Sequence, residues 1–199
     1  MDIELTRAPL LDEVPDLALA REILGTYEPY DDAQAAIRDR IVAWIDAHPE
    51  DAHRRTCLAG HLTASAILLD TNRERVLLTL HRKLGKWLQL GGHCDGDANL
   101  AGVAWRENLE ESGITPAAIS ALPIDVDIHA IPARPAKGDR PAEPEHDHLD
   151  TRYLLVAPPG AREVMSDESL DLRWFTRTEA RALELDDSVQ RLLDIAFAL

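Results

Sequence analysis

Apolar and polar residues follow two different rhythms along this chain. In DDAQAAIRDRIVAWIDAHPE, Ile37, Ile41, Trp44 and Ile45 recur at helical spacing. Asp31 or Asp32 stands where a helix cap is needed, and His48–Pro49 closes the run. Residues 1–55 therefore read as a helical N-terminal extension. From Gly60 the texture changes. HLTASAILLD and RVLLTLHR are short apolar segments around the turn-rich TNRE, which predicts a pair of strands. KWLQL leads into Gly91–Gly92, and a helix follows over 98–112. PIDVDIHAI, HDHLDTRYLLVA and DLRWF read as further strands, and DDSVQRLLDIAFAL closes the chain as an amphipathic helix. Pro132, Pro135, Pro141 and Pro144 break PARPAKGDRPAEPE into a surface loop. Strands in the middle, helices at both ends and one helix between them predict an α/β sandwich with a mixed sheet.

The helix over 98–112 raises a question of charge. Glu107, Glu110 and Glu111 are related as i, i+3 and i+4 and share one face. Toward the N-terminus the same stripe continues through Val103, Ala104 and Leu100, whereas a solvated acidic face would stay polar. Ala98, Gly102, Trp105 and Leu109 lie opposite, which predicts packing on both sides. Carboxylates at the edge of a buried stripe need positive charge to offset desolvation and mutual repulsion. Arg106, four residues before Glu110, supplies one partner but cannot satisfy three anions. A hard divalent cation held by oxygen ligands is the economical answer, and magnesium suits it because it takes one or two carboxylates plus substrate phosphates.

Composition narrows the partners. A formal charge of −15 disfavours a nucleic-acid polymer, whose phosphates require clustered Lys and Arg. Two of the three lysines, Lys83 and Lys86, sit with Arg82 in HRKLGKW, just ahead of the glutamate helix. This island is either an anion-binding hairpin or a solvated turn. No apolar run is long enough for a membrane span, and the acidic, proline-broken start does not read as a signal peptide. Cys57 and Cys94 are too few for a disulfide framework or a four-thiolate zinc site. A cytoplasmic protein is expected.

The stretch GGHCDGDANLAGVAWRENLEESGI resembles the Nudix signature, G-x5-E-x7-R-E-U-x-E-E-x-G-U, where U is a bulky aliphatic residue. Gly92, Arg106, Glu107, Glu110, Glu111, Gly113 and Ile114 fall on its positions, while Ala98 replaces the first glutamate and Asn108 the first aliphatic residue. LLTLHRKLGKWLQLGGH and LRWFTRTEA are also similar to the family's flanking segments, so the resemblance covers about residues 60–199. It implies a Nudix-like α/β/α sandwich with a mixed sheet over residues 56–199, behind the N-terminal helical extension. It further implies metal-dependent hydrolysis of a diphosphate linkage in a small molecule, typically a nucleoside diphosphate derivative. Glu107, Glu110 and Glu111 would bind Mg2+ (or Mn2+), with the Gly92 carbonyl as a further ligand and Arg106 orienting the cluster. In the family the first glutamate mainly supports the box arginine. Its loss at Ala98 thus bears on orientation more than on metal binding, and Asp95 or Asp97 could stand in. Asn108 needs a hydrogen-bond partner if buried. The general base is left between Glu107 and a group outside the box.

Arg82, Lys83 and Lys86 are candidates for holding phosphate. On a strand, His146, His148, Asp150 and Arg152 alternate onto one face. They either line the substrate site or form the solvent side of an amphipathic strand. His53, His61 and His81 read as structural or exposed, His93 and Cys94 as turn residues, and Trp44, Trp87, Trp105 and Trp174 as core, with Trp87 near the box. Two alternatives remain: a non-catalytic Nudix-like ligand-binding domain, for which Ala98 is the best argument, and a prenyl diphosphate isomerase, whose cysteine placement Cys94 does not match. A homodimer is open.

Overall fold

The computed structural model describes residues 4–6, 12–136, 138 and 141–199. Its elements are β1 (Leu5–Thr6), α1 (Ala18–Thr26), α2 (Asp32–Ala47), β2 (Gly60–Leu69), β3 (Arg75–His81), β4 (Trp87–Leu88), β5 (Leu90–His93) and α3 (Leu100–Ser112). They continue with β6 (Ala118–Ser120), β7 (Asp125–Ile131), β8 (His146–Val156), β9 (Ser169–Thr176), α4 (Arg177–Arg181) and α5 (Asp187–Ala196). The strands form one mixed sheet in the order β1-β6-β8-β2-β3-β4, with β5 also on β2, β7 on β8 and β9 on β3. The β2–β8 pairing is parallel and runs from Gly60↔Asp147 to Leu69↔Val156, joining the two long central strands. Strand β2 is buried along its whole length, although His61, Thr63 and Ser65 alternate with its apolar residues in the first half.

Alternation along β2 sorts the molecule into layers. Leu62, Ala64, Ala66 and Leu68 face a core shared with Ala20 and Leu24 of α1, Ile41 and Ile45 of α2, and Val103, Ala104 and Trp105 of α3. Ile67 and Leu69 face the opposite core with Leu154, Phe175 and Ala180, Leu192, Leu193 and Ala196 of α4 and α5. The result is the expected α/β/α sandwich, and each fully buried Leu contributes roughly 2 kcal/mol to holding the layers together.

The N-terminal helices are joined to this sheet. Asp31 caps α2 by accepting from the Gln34 N–H (2.8 Å). The buried Gln34 amide donates to Val126 O (3.1 Å) and accepts from Val126 N (3.2 Å), so its side chain completes the hydrogen bonding of β7 at its outer edge. The prolines of 132–144 leave one isolated bridge, Arg134↔Glu143, among the described residues; residues 137, 139 and 140 of that loop lie outside them, as do 1–3 and 7–11 of the N-terminal extension.

Some local details differ from the pattern-based reading. Helix α3 starts at Leu100, because Asn99 caps it by accepting from Gly102 N (3.1 Å), and Ala98 lies ahead of the cap. Leu109 is 39% exposed, so the side opposite the glutamates is packed only as far as Trp105. A short strand, β6, and the helix α4, closed by a Thr176–Glu179 capping box, had no clear periodicity to announce them.

Candidate active site

Helix α3 ends where β5 turns under it. Gly92 sits so close to the Glu107 carboxylate that a Cβ there would collide with it, and Gly91 has the same relationship to the backbone of Ser65. Gly91 N–H donates to Glu111 Oε1 (3.2 Å). The Gly-Gly pair thus lets two glutamates lie directly on the strand. Burial, and after it the charge of Glu110, pushes the Glu107 carboxyl up to about 7. Burial pushes Glu111 up to about 8 against the lowering effect of the Gly91 hydrogen bond, with Glu107 adding to the rise. Glu110 is exposed at the rim. Two half-buried carboxylates held that high are short of positive charge.

Arg106 offsets only part of this deficit at Glu107, because its guanidinium is engaged elsewhere. Its Nη1 donates to Asp97 Oδ2 (3.1 Å), and the Asp97 side chain is 4% exposed. Asp97 Oδ1 accepts from Asn99 N (2.9 Å) and Val14 N (3.0 Å), while Ala98 N donates to Val14 O (2.6 Å). Of the two aspartates weighed as substitutes for a glutamate at position 98, Asp97 holds the arginine. Asp95 pairs instead with Arg55. Asn108 is fully buried and half-satisfied: Nδ2 donates to Ile114 O (2.9 Å), while Oδ1 has no hydrogen-bond partner among the described residues. Ser112 Oγ donates to Asn108 O (2.6 Å) and accepts from Ile114 N (3.1 Å), so the polar pair closes the end of α3 ahead of Gly113 at φ 67°.

The basic hairpin is divided among several tasks. Arg82 donates to the carbonyls of Asp167 (2.8 Å) and Ser169 (2.9 Å), and its N–H donates to Glu168 O (3.0 Å). It therefore fixes the loop before β9. The charge of Glu168 in that loop adds to the upward push on both Glu107 and Glu111, behind burial and other causes. Lys86 pairs with Asp186 at the start of α5 (2.9 Å). Lys83 is exposed and has no ion pair among the described residues. Glu168 was missed in the sequence; its only signal was an acidic residue just ahead of LRWF.

His146, His148, Asp150 and Arg152 do share a face of β8, but this face is not uniform: His148 is half-buried and the other three are buried. Arg152 is 2% exposed, and its five N–H groups meet Asp150, Asp125, Asp127, the Ser188 carbonyl and the Ser188 hydroxyl. Arg191 joins it on Asp125 and Asp127, and Thr63 and Ser65 donate to Asp150. This buried ion network leaves Arg152 no N–H for a phosphate. His146 and His148 belong to a separate cluster with His61, His93 and His129, whose neighbouring ring centroids lie 5.0–5.3 Å apart. Burial, then the surrounding histidines, pushes His148 down to about 2, and burial, then the Arg55 guanidinium, pushes His93 down to about 4, so both are neutral imidazoles. His61 and His93 were read as structural and turn residues; the structure brings them together with the β8 histidines.

The NUDIX domain model matches residues 60–194. The chain belongs to the Nudix family. No curated protein matches it. Among solved structures, the MutT NUDIX hydrolase of Burkholderia pseudomallei is 20% identical over 68% of this chain and 96% of that one, with a TM-score of 0.52. The Ap4A hydrolase of C. elegans, solved as a binary complex, is 17% identical over 69% and 95%, with a TM-score of 0.50. At these identities the likeness is one of fold. The Nudix sheet-and-helix core accordingly accounts for β2 to α5, and α1 and α2 lie before the matched region. Cys94 is 1% exposed and burial pushes its thiol well up, which removes it as an accessible nucleophile or acid of the isomerase type.

Proposed function

We propose that this Nudix protein is a metal-dependent pyrophosphohydrolase that cleaves a diphosphate linkage in a small molecule, a nucleoside diphosphate derivative. The observation that carries this reading is the pair Glu107 and Glu111, half-buried on Gly91–Gly92 with carboxyls raised to about 7 and 8. The donor set is all oxygen, crowded and electron-rich, and fits a hard divalent cation. Mg2+, or Mn2+ in its place, would be held by Glu107, Glu110 and Glu111 with the Gly92 carbonyl. When bound, such an ion neutralises phosphate charge and lowers the pKa of a coordinated water.

The protein's own groups supply the rest. Asp97 keeps Arg106 in one orientation at the edge of the cluster, which fixes the face that α3 presents. Glu168, outside the box, takes the proton of the attacking water as general base. Lys83 is the cation of the basic hairpin left to meet a substrate phosphate. Residues 56–199 carry the chemistry, and residues 1–55 brace it through Gln34 on β7 and Val14 on Asp97. The free cysteines Cys57 and Cys94 agree with a cytoplasmic setting.

The test is a panel of nucleoside diphosphate derivatives, dinucleoside polyphosphates and prenyl diphosphates, with Mg2+ or Mn2+. Wild type and Glu110→Gln are scored for phosphate products and for rearranged product. Metal-dependent hydrolysis lost in the variant is expected. Binding without turnover across the whole panel would instead mark a ligand-binding domain.

A further inference from the structure

Five of the eight histidines, on four different strands, converge at one end of the sheet. The register explains how. His61 on β2 lies opposite His148 on β8, His148 lies opposite His129 on β7, and Thr63 on β2 lies opposite His93 on β5. Successive strand residues point to opposite faces, so His93 points away from α3 while Gly92 faces Glu107. The imidazole cluster and the carboxylate cluster are therefore on opposite sides of β5.

We infer that His61, His93 and His148 form a second metal site, selective for a borderline transition cation such as Zn2+ and separate from the oxygen site on α3. One nitrogen from each ring lies within 4.8 Å of the others. Zn–N bonds of about 2.0–2.1 Å in a tetrahedron place ligand nitrogens roughly 3.4 Å apart, a gap that small ring rotations close. The tautomers are set for this. His61 Nδ1 lies 3.5 Å from Cys57 O, and His146 Nδ1 lies 2.9 Å from Pro144 O. A carbonyl only accepts, so the proton is on Nδ1 in both rings and Nε2 carries the lone pair. Among the described residues neither Nε2 atom has a hydrogen-bond partner, although the Glu143 carboxylate lies 3.7 Å from that of His146; the bare Nε2 of His61 costs free energy unless something binds there. Backbone carbonyls that hold the far nitrogen of an imidazole are the usual outer partners of a ligating histidine. His93 and His148 are only half-buried, which leaves an approach from solvent, and the fourth position falls to water or to His146. The nearby Arg55 is neutralised by Asp95. Imidazole ligands favour zinc over magnesium, so the two sites sort their ions by ligand type.

The experiment titrates Zn2+ into metal-free protein against a chromophoric chelator, and records the melting temperature with Zn2+ and with Mg2+. The background carries Glu107→Gln and Glu111→Gln to remove the oxygen site. It also carries Cys57→Ser, because His48, Asp51 and Cys57 offer another set of ligand atoms within 4.8 Å. One Zn2+ per chain is expected, with a zinc-specific rise in melting temperature. His93→Gln and His148→Gln, added separately, should each weaken zinc at least ~100-fold, no less than the loss of an outer partner costs. Failure of the background protein to hold zinc, or undiminished zinc in both histidine variants, would overturn the site.

Discussion

Arg106 donates to Asp97 across 3.1 Å, and the carboxylate that receives it lies one residue before the position where the Nudix pattern has glutamate. The shorter side chain is held in place by the N–H groups of Asn99 and Val14, and the following Ala98 N–H donates to Val14 O. Asp97→Ala removes the arginine's partner and the acceptor of two backbone N–H groups. It should lower stability by about 1–3 kcal/mol and reduce turnover, whereas Asp97→Asn, which keeps an acceptor, should lose less stability. Urea unfolding of both variants beside their kinetics checks this. Equal stability loss in the two would mean that the charge on Asp97, and not its acceptor oxygens, holds this corner together.

Glu168 is exposed, so Glu168→Gln should leave stability within roughly 0.5 kcal/mol. As general base it should contribute about 10²–10⁴-fold to kcat, with little change in KM. Steady-state kinetics decide, and an unchanged kcat would pass the role to Glu107.

The extent to which this site could be read in the sequence follows from distance along the chain. The spacing of Arg106, Glu107, Glu110 and Glu111 is set by the helix alone, so it was legible; the choice between the neighbouring Asp95 and Asp97 stayed open, because it turns on the distant partners Arg55 and Val14. The layers were legible for a similar reason, since alternation in β2 and the apolar stripe of α5 are local signals. The charge of Glu168 reaches the cluster only because Arg82 ties its loop to the hairpin. His61 meets His148, and Thr63 meets Asp150, only because β2 and β8 pair in parallel across 87 residues. No local pattern carries that register. The same pairing turned Arg152 from an apparent site residue into the centre of a buried network.

Removing Arg152 leaves Asp125 and Asp127 to Arg191, and Asp150 to the hydroxyls of Thr63 and Ser65. Arg152→Ala should cost about 3–5 kcal/mol. Arg152→Lys should also be destabilised, because an ammonium cannot replace five planar donors. Chemical denaturation measures both, and a lysine variant as stable as wild type would contradict the network's dependence on the guanidinium.

Without metal, folded protein keeps protons on Glu107 and Glu111 up to about 7 and 8, while the unfolded chain releases them near the usual 4.5. The folded state then binds more protons, so its stability falls as pH rises through that window. The depressed His93 and His148 act oppositely, but only below about 6.5, where the unfolded chain's histidines take up protons. Between pH 6.5 and 8 the metal-free protein should lose on the order of 1–2 kcal/mol. Saturating Mg2+ should flatten the slope because the ion replaces the protons. Thermal melts in chelator and in Mg2+ test this; equal slopes would contradict it.

The most direct measurement follows Mn2+ binding by electron paramagnetic resonance and diphosphate hydrolysis in the same samples, for wild type and for Glu107→Gln/Glu111→Gln, near neutral pH. Wild type should bind the ion and turn over substrate, and the double variant should lose both while remaining folded. Hydrolysis that survives in the variant, or a wild type that binds no divalent cation, would contradict the assignment of the α3 carboxylates.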